Sequence, residues 1–362
     1  MAQLADPARQ GSLLHYRAWQ SSLVDSDTRG TLLFLALQAG LLLIMAIPVV
    51  PAALRLLAVT GFLAAWGLVV YSRAWPIARV ALVMLLRRKL FWAIYALALM
   101  IFFMFFFGQY LMSWALTQLG EQDVRVGGLG RANPSVLVNF LRDQLKMNGS
   151  AEMYRNFFWL EGYSVMIVLA LAGALVIGND LRFGSLSFYL ARPISRWHYL
   201  LGKGLAVALF INLITTVPAI LLFVQFGLLE SWSYFFDSVH LLVGIVGYGM
   251  LLTVTLTTIL LATATWLRRT VPLIMTWTTL FFFCRLLAAG LVDNLQLDPR
   301  WRLIDLWNNN YLLGSVFLGI PYASIRPTPQ PEWYEAAGVL GGLCLLCLVY
   351  LVQRIRGVEI VT

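Results

Sequence analysis

Charged residues in this chain gather between long apolar runs. About eight such runs stand out: Thr31–Val50, Ala53–Tyr71, Leu90–Leu116, Trp159–Gly178, Tyr199–Phe226, Ser238–Leu267, Thr270–Val292 and Trp333–Val352. A helix needs about 20 mostly apolar residues to cross the hydrocarbon of a bilayer, and each run has roughly that length. The pattern predicts an all-α integral membrane protein with about eight transmembrane helices.

Composition sharpens the class. Hydrophobic residues make up 60% of the 362, and only 12% are charged, against about 25% in ordinary soluble domains. That excludes a cytosolic globule, a disordered chain and a secreted disulfide scaffold. The net charge of +9 would suggest nucleic acid in a soluble protein. Here no basic domain stands apart from the apolar runs, so membrane lipid is the expected partner and nucleic acid is not. Cys284, Cys344 and Cys347 all lie inside apolar runs and read as packing residues, not as a zinc site or a bridge. No cleavable signal is expected before the first run, although the apolar core of that run resembles one.

Orientation follows from the basic residues. With the N-terminus inside, 16 fall on inner segments and nine on outer ones, and eight of those nine lie in two long loops. The positive-inside bias counts short loops most, so both termini are expected in the cytoplasm. The run Ile77–Trp114 contains no proline and is far longer than one span needs. Arg87, Arg88 and Lys89 near its middle cannot lie in hydrocarbon. A bend there would leave Ile77–Leu86 along the inner surface as an elbow helix and send Leu90 onward through the bilayer. The alternative, a helix protruding into the cytosol, would leave Val80, Leu82, Val83 and Met84 in water.

The outer loops 117–158 and 293–332 are too long to be simple connectors. Trp301, Trp307, Tyr311 and Phe317 in the second suit a helix at the membrane interface, where aromatic rings prefer to lie. Asn148-Gly149-Ser150 is a glycosylation triplet on the same side.

Ionisable groups inside spans are functional candidates. Arg285 in the seventh run is the clearest; it either snorkels to the outer surface or lines a polar path across the membrane. Glu161, opening the fourth run on the same side, is a possible partner for it. Asn212, Thr215 and Thr216, with the threonines Thr253–Thr265, are expected to join helices by hydrogen bonds, and Asn212 is also a candidate for that path. Pro218 should kink its helix. Chemistry is scarcer: His15, His198 and His240 are scattered, and no His-x-x-Glu-His or Gly-x-Ser-x-Gly grouping occurs. Neither catalytic residues nor a metal site are expected in this chain. A secondary carrier would want acidic residues at mid-span, and only Glu161 and Glu335 come near.

The segment Asp180–Lys203 carries the most information. It reads as a short amphipathic helix, Leu181–Ala191, stopped by Pro193, with Ser195 placed to cap the following span. Leu186, Phe188, Tyr189 and Leu190 would rest on the membrane or on a partner, leaving Arg182, Arg192 and Arg196 to meet acidic groups. Physical reasoning alone leaves membrane and partner open.

This segment resembles the signature region of type-2 ABC exporter permeases: an acidic residue, Asp180; Gly184-Ser185; Leu186 and Leu190; the turn Arg192-Pro193-Ile194-Ser195-Arg196; and Gly202-Lys203. Asp180 stands where the family has Glu, and Ser185 where it has Thr. The resemblance covers Arg73–Arg356 and includes the basic elbow. It implies a six-helix permease core over 73–356 and leaves unexplained the two additional spans over 31–72; the orientation above makes segment 1–30 and the tail 357–362 cytoplasmic. Within the core lie an elbow helix over 77–89 and a coupling loop over 179–198. In the family that loop, here Asp180, Arg182, Gly184, Ser185, Leu186, Tyr189, Arg192, Pro193 and Arg196, docks on a separate ATPase. No Gly-x-x-x-x-Gly-Lys-Ser/Thr phosphate loop occurs here, so ATP and Mg would bind that partner and no cofactor this chain. The implied assembly is two permeases, identical or related, with two ATPase subunits in a bacterial or archaeal cytoplasmic membrane. Some members of the family transmit force instead of moving cargo.

Overall fold

The computed structural model describes residues 33–42, 44–45, 50–71, 74–117, 124–125, 131–132, 146–173, 196–267 and 269–359. Apart from one two-residue antiparallel pairing, Val124 opposite Ala132 and Arg125 opposite Arg131, the regular structure in these residues is helical. The helices are α1 (Leu33–Leu42), α2 (Ala52–Tyr71), α3 (Ala74–Leu86), α4 (Lys89–Thr117) and α5 (Ala151–Gly173). They continue with α6 (Arg196–Ile214), α7 (Thr216–Glu230), α8 (Trp232–Asp237), α9 (Val239–Leu267), α10 (Thr270–Asn294), α11 (Leu306–Phe317) and α12 (Trp333–Glu359).

Five stretches are long and apolar enough to cross a membrane: Phe91–Trp114, Trp197–Glu230 through α6 and α7, Val239–Leu267, Thr270–Asn294 and Trp333–Arg354. The protein is a helical membrane protein. The other three expected spans differ in kind. The described apolar parts of α1 and α2 are short, Leu33–Leu42 and Ala53–Leu68. Helix α5 starts at Ala151, well before the expected Trp159, and its first turns carry Glu152 and Arg155.

Helix α9 is the axis of the bundle. In its most apolar stretch 83% is buried, against 17% in α4 and in α12, so α9 packs on protein around its whole circumference while the other two turn a face outward. Close approach explains how. A Cβ on Gly244 would meet the carbonyl oxygen of Phe317 at 2.6 Å, and one on Gly314 would meet the Tyr248 ring at 2.2 Å. Glycine at those two positions lets α11 lie against α9 backbone to backbone. On another side, Met45, Val59 and Phe62 of the N-terminal helices pack on Val243, Val246, Met250 and Phe317. The additional N-terminal region is therefore joined to the core.

Two breaks have readable causes. The run from Ile77 to Trp114 is split into α3 and α4 at Arg87 and Arg88, with Lys89 opening α4. Helix α3 buries Ala74, Ile77, Ala78, Ala81 and Leu85, and its small residues press on α6; a Cβ on Gly202 would meet the Ala74 carbonyl at 2.8 Å. The second break lies at Thr215, between α6 and α7. Pro218 has no N–H to offer Ile214, the C-terminal residue of α6, so the ladder parts there.

Candidate functional site

Helix α10 is interrupted by a π-helical turn over Thr279–Phe283, and Arg285 follows it. The Arg285 guanidinium lies 4.4 Å from the Trp159 ring centroid and 5.8 Å from that of Tyr163, and it donates to the Tyr163 hydroxyl. Trp159 and Tyr163 stand one turn apart on α5 and form an aromatic cradle for the cation. Among the described residues no carboxylate lies within ion-pair distance of Arg285.

The expected pair with Glu161 is not made. At about 100° per residue, Glu161 projects from the side of α5 opposite the Trp159–Tyr163 face. It is the eleventh of 23 residues in α5, in the helix interior and not at its mouth. The side chain is fully buried, and neither carboxyl oxygen has a hydrogen-bond partner. A carboxyl group in such a place has lost water without gaining a hydrogen bond, which is costly.

Beyond α10 the chain turns inward. Asp305 caps α11, accepting from the backbone N–H groups of Trp307 at 2.9 Å and Asn308 at 3.1 Å. Burial pushes the Asp305 carboxyl above the usual carboxylate range, opposed by these N–H groups and by the charge of Arg285. The sequence placed Trp307, Tyr311 and Phe317 on a helix at the interface; here all three are buried and α11 packs among α5, α9 and α12, while Trp301 stays exposed. The reason is the polar run Asn308-Asn309-Asn310, which finds its partners inside. Asn308 and Gln330 bond reciprocally at 2.9 and 3.2 Å. Asn309 donates to the Leu303 carbonyl at 2.8 Å, and Asn310 accepts from the Thr255 hydroxyl at 2.9 Å. Arg302 ties the entry, donating to Asp293 and to the Pro329 carbonyl.

Asn212 joins three helices. Its amide donates to Ala208 O and to the Thr253 hydroxyl, both at 2.8 Å, and its oxygen accepts from Thr216 at 2.7 Å. Arg87 and Arg88 occupy the α3–α4 break, and Arg196 opens α6. Asp180, Arg182, Gly184, Ser185, Leu186, Tyr189, Arg192 and Pro193 lie outside the described residues. Among the described residues no group of three or more His, Cys, Asp or Glu is placed to hold a metal ion.

Sequence reasoning passed over two residues of this region. Arg155 is buried with its guanidinium 5.4 Å from the Tyr311 ring centroid, and the Tyr248 hydroxyl is buried without a partner. Their signal is weak: Arg155 is one of five basic residues between the third and fourth apolar runs, and Tyr248 is one aromatic in an apolar run. No protein-family model matches this chain, and no curated protein matches it.

Proposed function

We propose that this chain is the membrane-spanning permease subunit of an ATP-driven exporter, working with a separate ATPase that closes on its cytoplasmic face. The observation that carries the reading is the segment Asp180–Lys203, with its Gly184-Ser185, its Arg192-Pro193-x-x-Arg196 turn and its Gly202-Lys203. The packing supports a mechanical route. That segment runs directly into α6, and α6 is pressed through Gly202 onto Ala74 of α3. A push on the loop would pass to α3 and through the Arg87–Arg88 break to α4, because close-packed helices shift as bodies and do not compress. In this reading α3 is the elbow, α1, α2 and α5 complete eight spans, and both termini are cytoplasmic. The permease pairs with a second copy or a relative, and the membrane is the cytoplasmic membrane of a bacterium or archaeon. Arg285, Glu161 and Asn212 are candidates along the route of export. The test is purification from native membrane: a stoichiometric partner with a phosphate loop is expected, and ATP-independent transport by this chain alone would overturn the reading.

A second reading is favoured by one observation. A fully buried Glu161 with both oxygens unpartnered is the kind of group an ion-coupled carrier protonates and releases. Acidification driven by substrate in proteoliposomes, abolished by Glu161→Gln, would support the carrier over the exporter.

A further inference from the structure

Helices α5 and α10 run antiparallel and leave between them a cavity of about 130 Å³ whose lining, with Ile167, Ala170, Ile274, Trp277 and Phe282 in it, is apolar except for Thr278. Engineered apolar cavities of about 150 Å³ stay dry and take up benzene-sized molecules, so this one suits hydrocarbon. It is open to the outer face of the bundle, where Ile167 and Phe282 are each 40% exposed. The π-helical turn Thr279–Phe283 adds a residue to the wall of α10 at this level, and such turns recur at functional sites.

The two ends of the groove differ. Ile274 and Ala170 mark one end. Toward the other, Phe282 meets Tyr163, with ring centroids 6.2 Å apart, and Tyr163 accepts from Arg285. From Ile274 to Arg285 is about 16 Å along the helix. The residue is half-buried, and a guanidinium at this depth in a bilayer needs a counter-charge. The protein supplies a tryptophan face and a phenol. Asp305 is near enough to feel the cation, but no ion pair joins them, and its Oδ1 holds the two capping N–H groups. A hydrocarbon slot that ends at a cation lacking a carboxylate contact matches one kind of molecule in its surroundings. We propose that the groove binds an anionic phospholipid, with one acyl chain along Ile167, Ala170 and Phe282 and the phosphate on Arg285 and Tyr163. The proposal requires a bilayer and no particular transport mechanism.

The test uses the full-length protein in detergent, mixed with phosphatidylglycerol or phosphatidylcholine of the same acyl chains, with bound lipid counted by native mass spectrometry. Wild type should retain phosphatidylglycerol roughly tenfold better, the ratio one charge-assisted contact supplies. Arg285→Gln should remove that preference and Arg285→Lys should keep most of it. Ala170→Phe, which fills the slot, should reduce both lipids; Ile167→Trp serves if that variant does not give a monodisperse protein. Inorganic phosphate at millimolar concentration should not displace the lipid, because the chain contributes to binding; displacement would make the site a phosphate site and overturn the proposal. It is equally overturned if wild type holds both lipids alike, if Arg285→Gln keeps the preference, or if Ala170→Phe changes the oligomeric state and not the lipid count, since the groove would then seat a second copy.

Discussion

Thr255 Oγ1 donates to Asn310 Oδ1 at 2.9 Å, and the bond ties the middle of α9 to a helix too short to cross a bilayer. Thr255 is the seventeenth of the 29 residues of α9, about 24 Å along the axis from Val239. Helix α11 has 12 residues, eleven of them buried, so the segment after α10 re-enters the bundle instead of lying on it. The Thr255 hydroxyl has one proton, which it shares between Asn310 and the Leu251 carbonyl of its own helix at 2.8 Å.

Removing that partner should cost stability. Thr255→Val leaves Asn310 Oδ1 without its donor and should lower stability by about 1 kcal/mol, within the range for a buried acceptor that loses its bond. Thr255→Ser keeps the hydroxyl and should stay within a few tenths of wild type, allowing for the lost methyl. Thermal unfolding in detergent, followed by tryptophan fluorescence, separates the two.

The contact between α9 and α11 also predicts a contrast among glycines. Gly244→Ala and Gly314→Ala place a methyl 2.6 Å from a backbone oxygen and 2.2 Å from a tyrosine ring, and overpacking of that kind costs about 1–3 kcal/mol. Gly338→Ala on α12 meets nothing within 4 Å and should be neutral or slightly stabilising, since alanine favours the helix. Equal melting temperatures for all three variants would refute the close packing.

Asp305 carries a pH signature. Burial raises its folded-state pKa above the unfolded value, so the folded protein binds the proton more tightly. This contribution to stability is complete below the unfolded pKa and is lost as pH rises through the folded one. Asp305→Asn keeps an oxygen for the Trp307 and Asn308 N–H groups and should remove that part of the pH dependence. Asp305→Ala also loses the cap, at about 1 kcal/mol. Melting temperatures of the three proteins across acidic pH measure both effects.

The proposed exporter function makes a prediction of its own for the segment that would couple to an ATPase. Truncating Leu186 and Tyr189 together to alanine should release the ATPase, at roughly 2 kcal/mol or more for each anchor of a central contact. Membrane abundance should stay normal because neither residue lies in a span. Retention of the partner with full transport would leave the loop a connector.

Topology is testable with single cysteines in a background without the native ones. Cysteines at Ser12 and Thr362 should be shielded from an impermeant thiol reagent in sealed cells. Ser233, exposed between α7 and α9, should be labelled when it is replaced by cysteine. Labelling of both termini would invert the map.

The membrane class, the long apolar helices and the need for a break at Arg87-Arg88 were legible in the order of residues. They depend on local quantities: run length, the cost of a charge in hydrocarbon, and the missing N–H of Pro218. The placement of α11 was not legible. Trp307, Tyr311 and Phe317 have the same composition whether their rings lie at an interface or in a core, and only the facing residues, Gly244, Tyr248 and Thr255, decide which. The partner of Arg285 was equally out of reach. Glu161 and Tyr163 are two positions apart in the chain, yet the helical turn sends them to opposite sides of α5. Side-chain chemistry determined that Arg285 must be compensated; the rotation of one helix against another decided that a tryptophan and a tyrosine, not a carboxylate, would meet it.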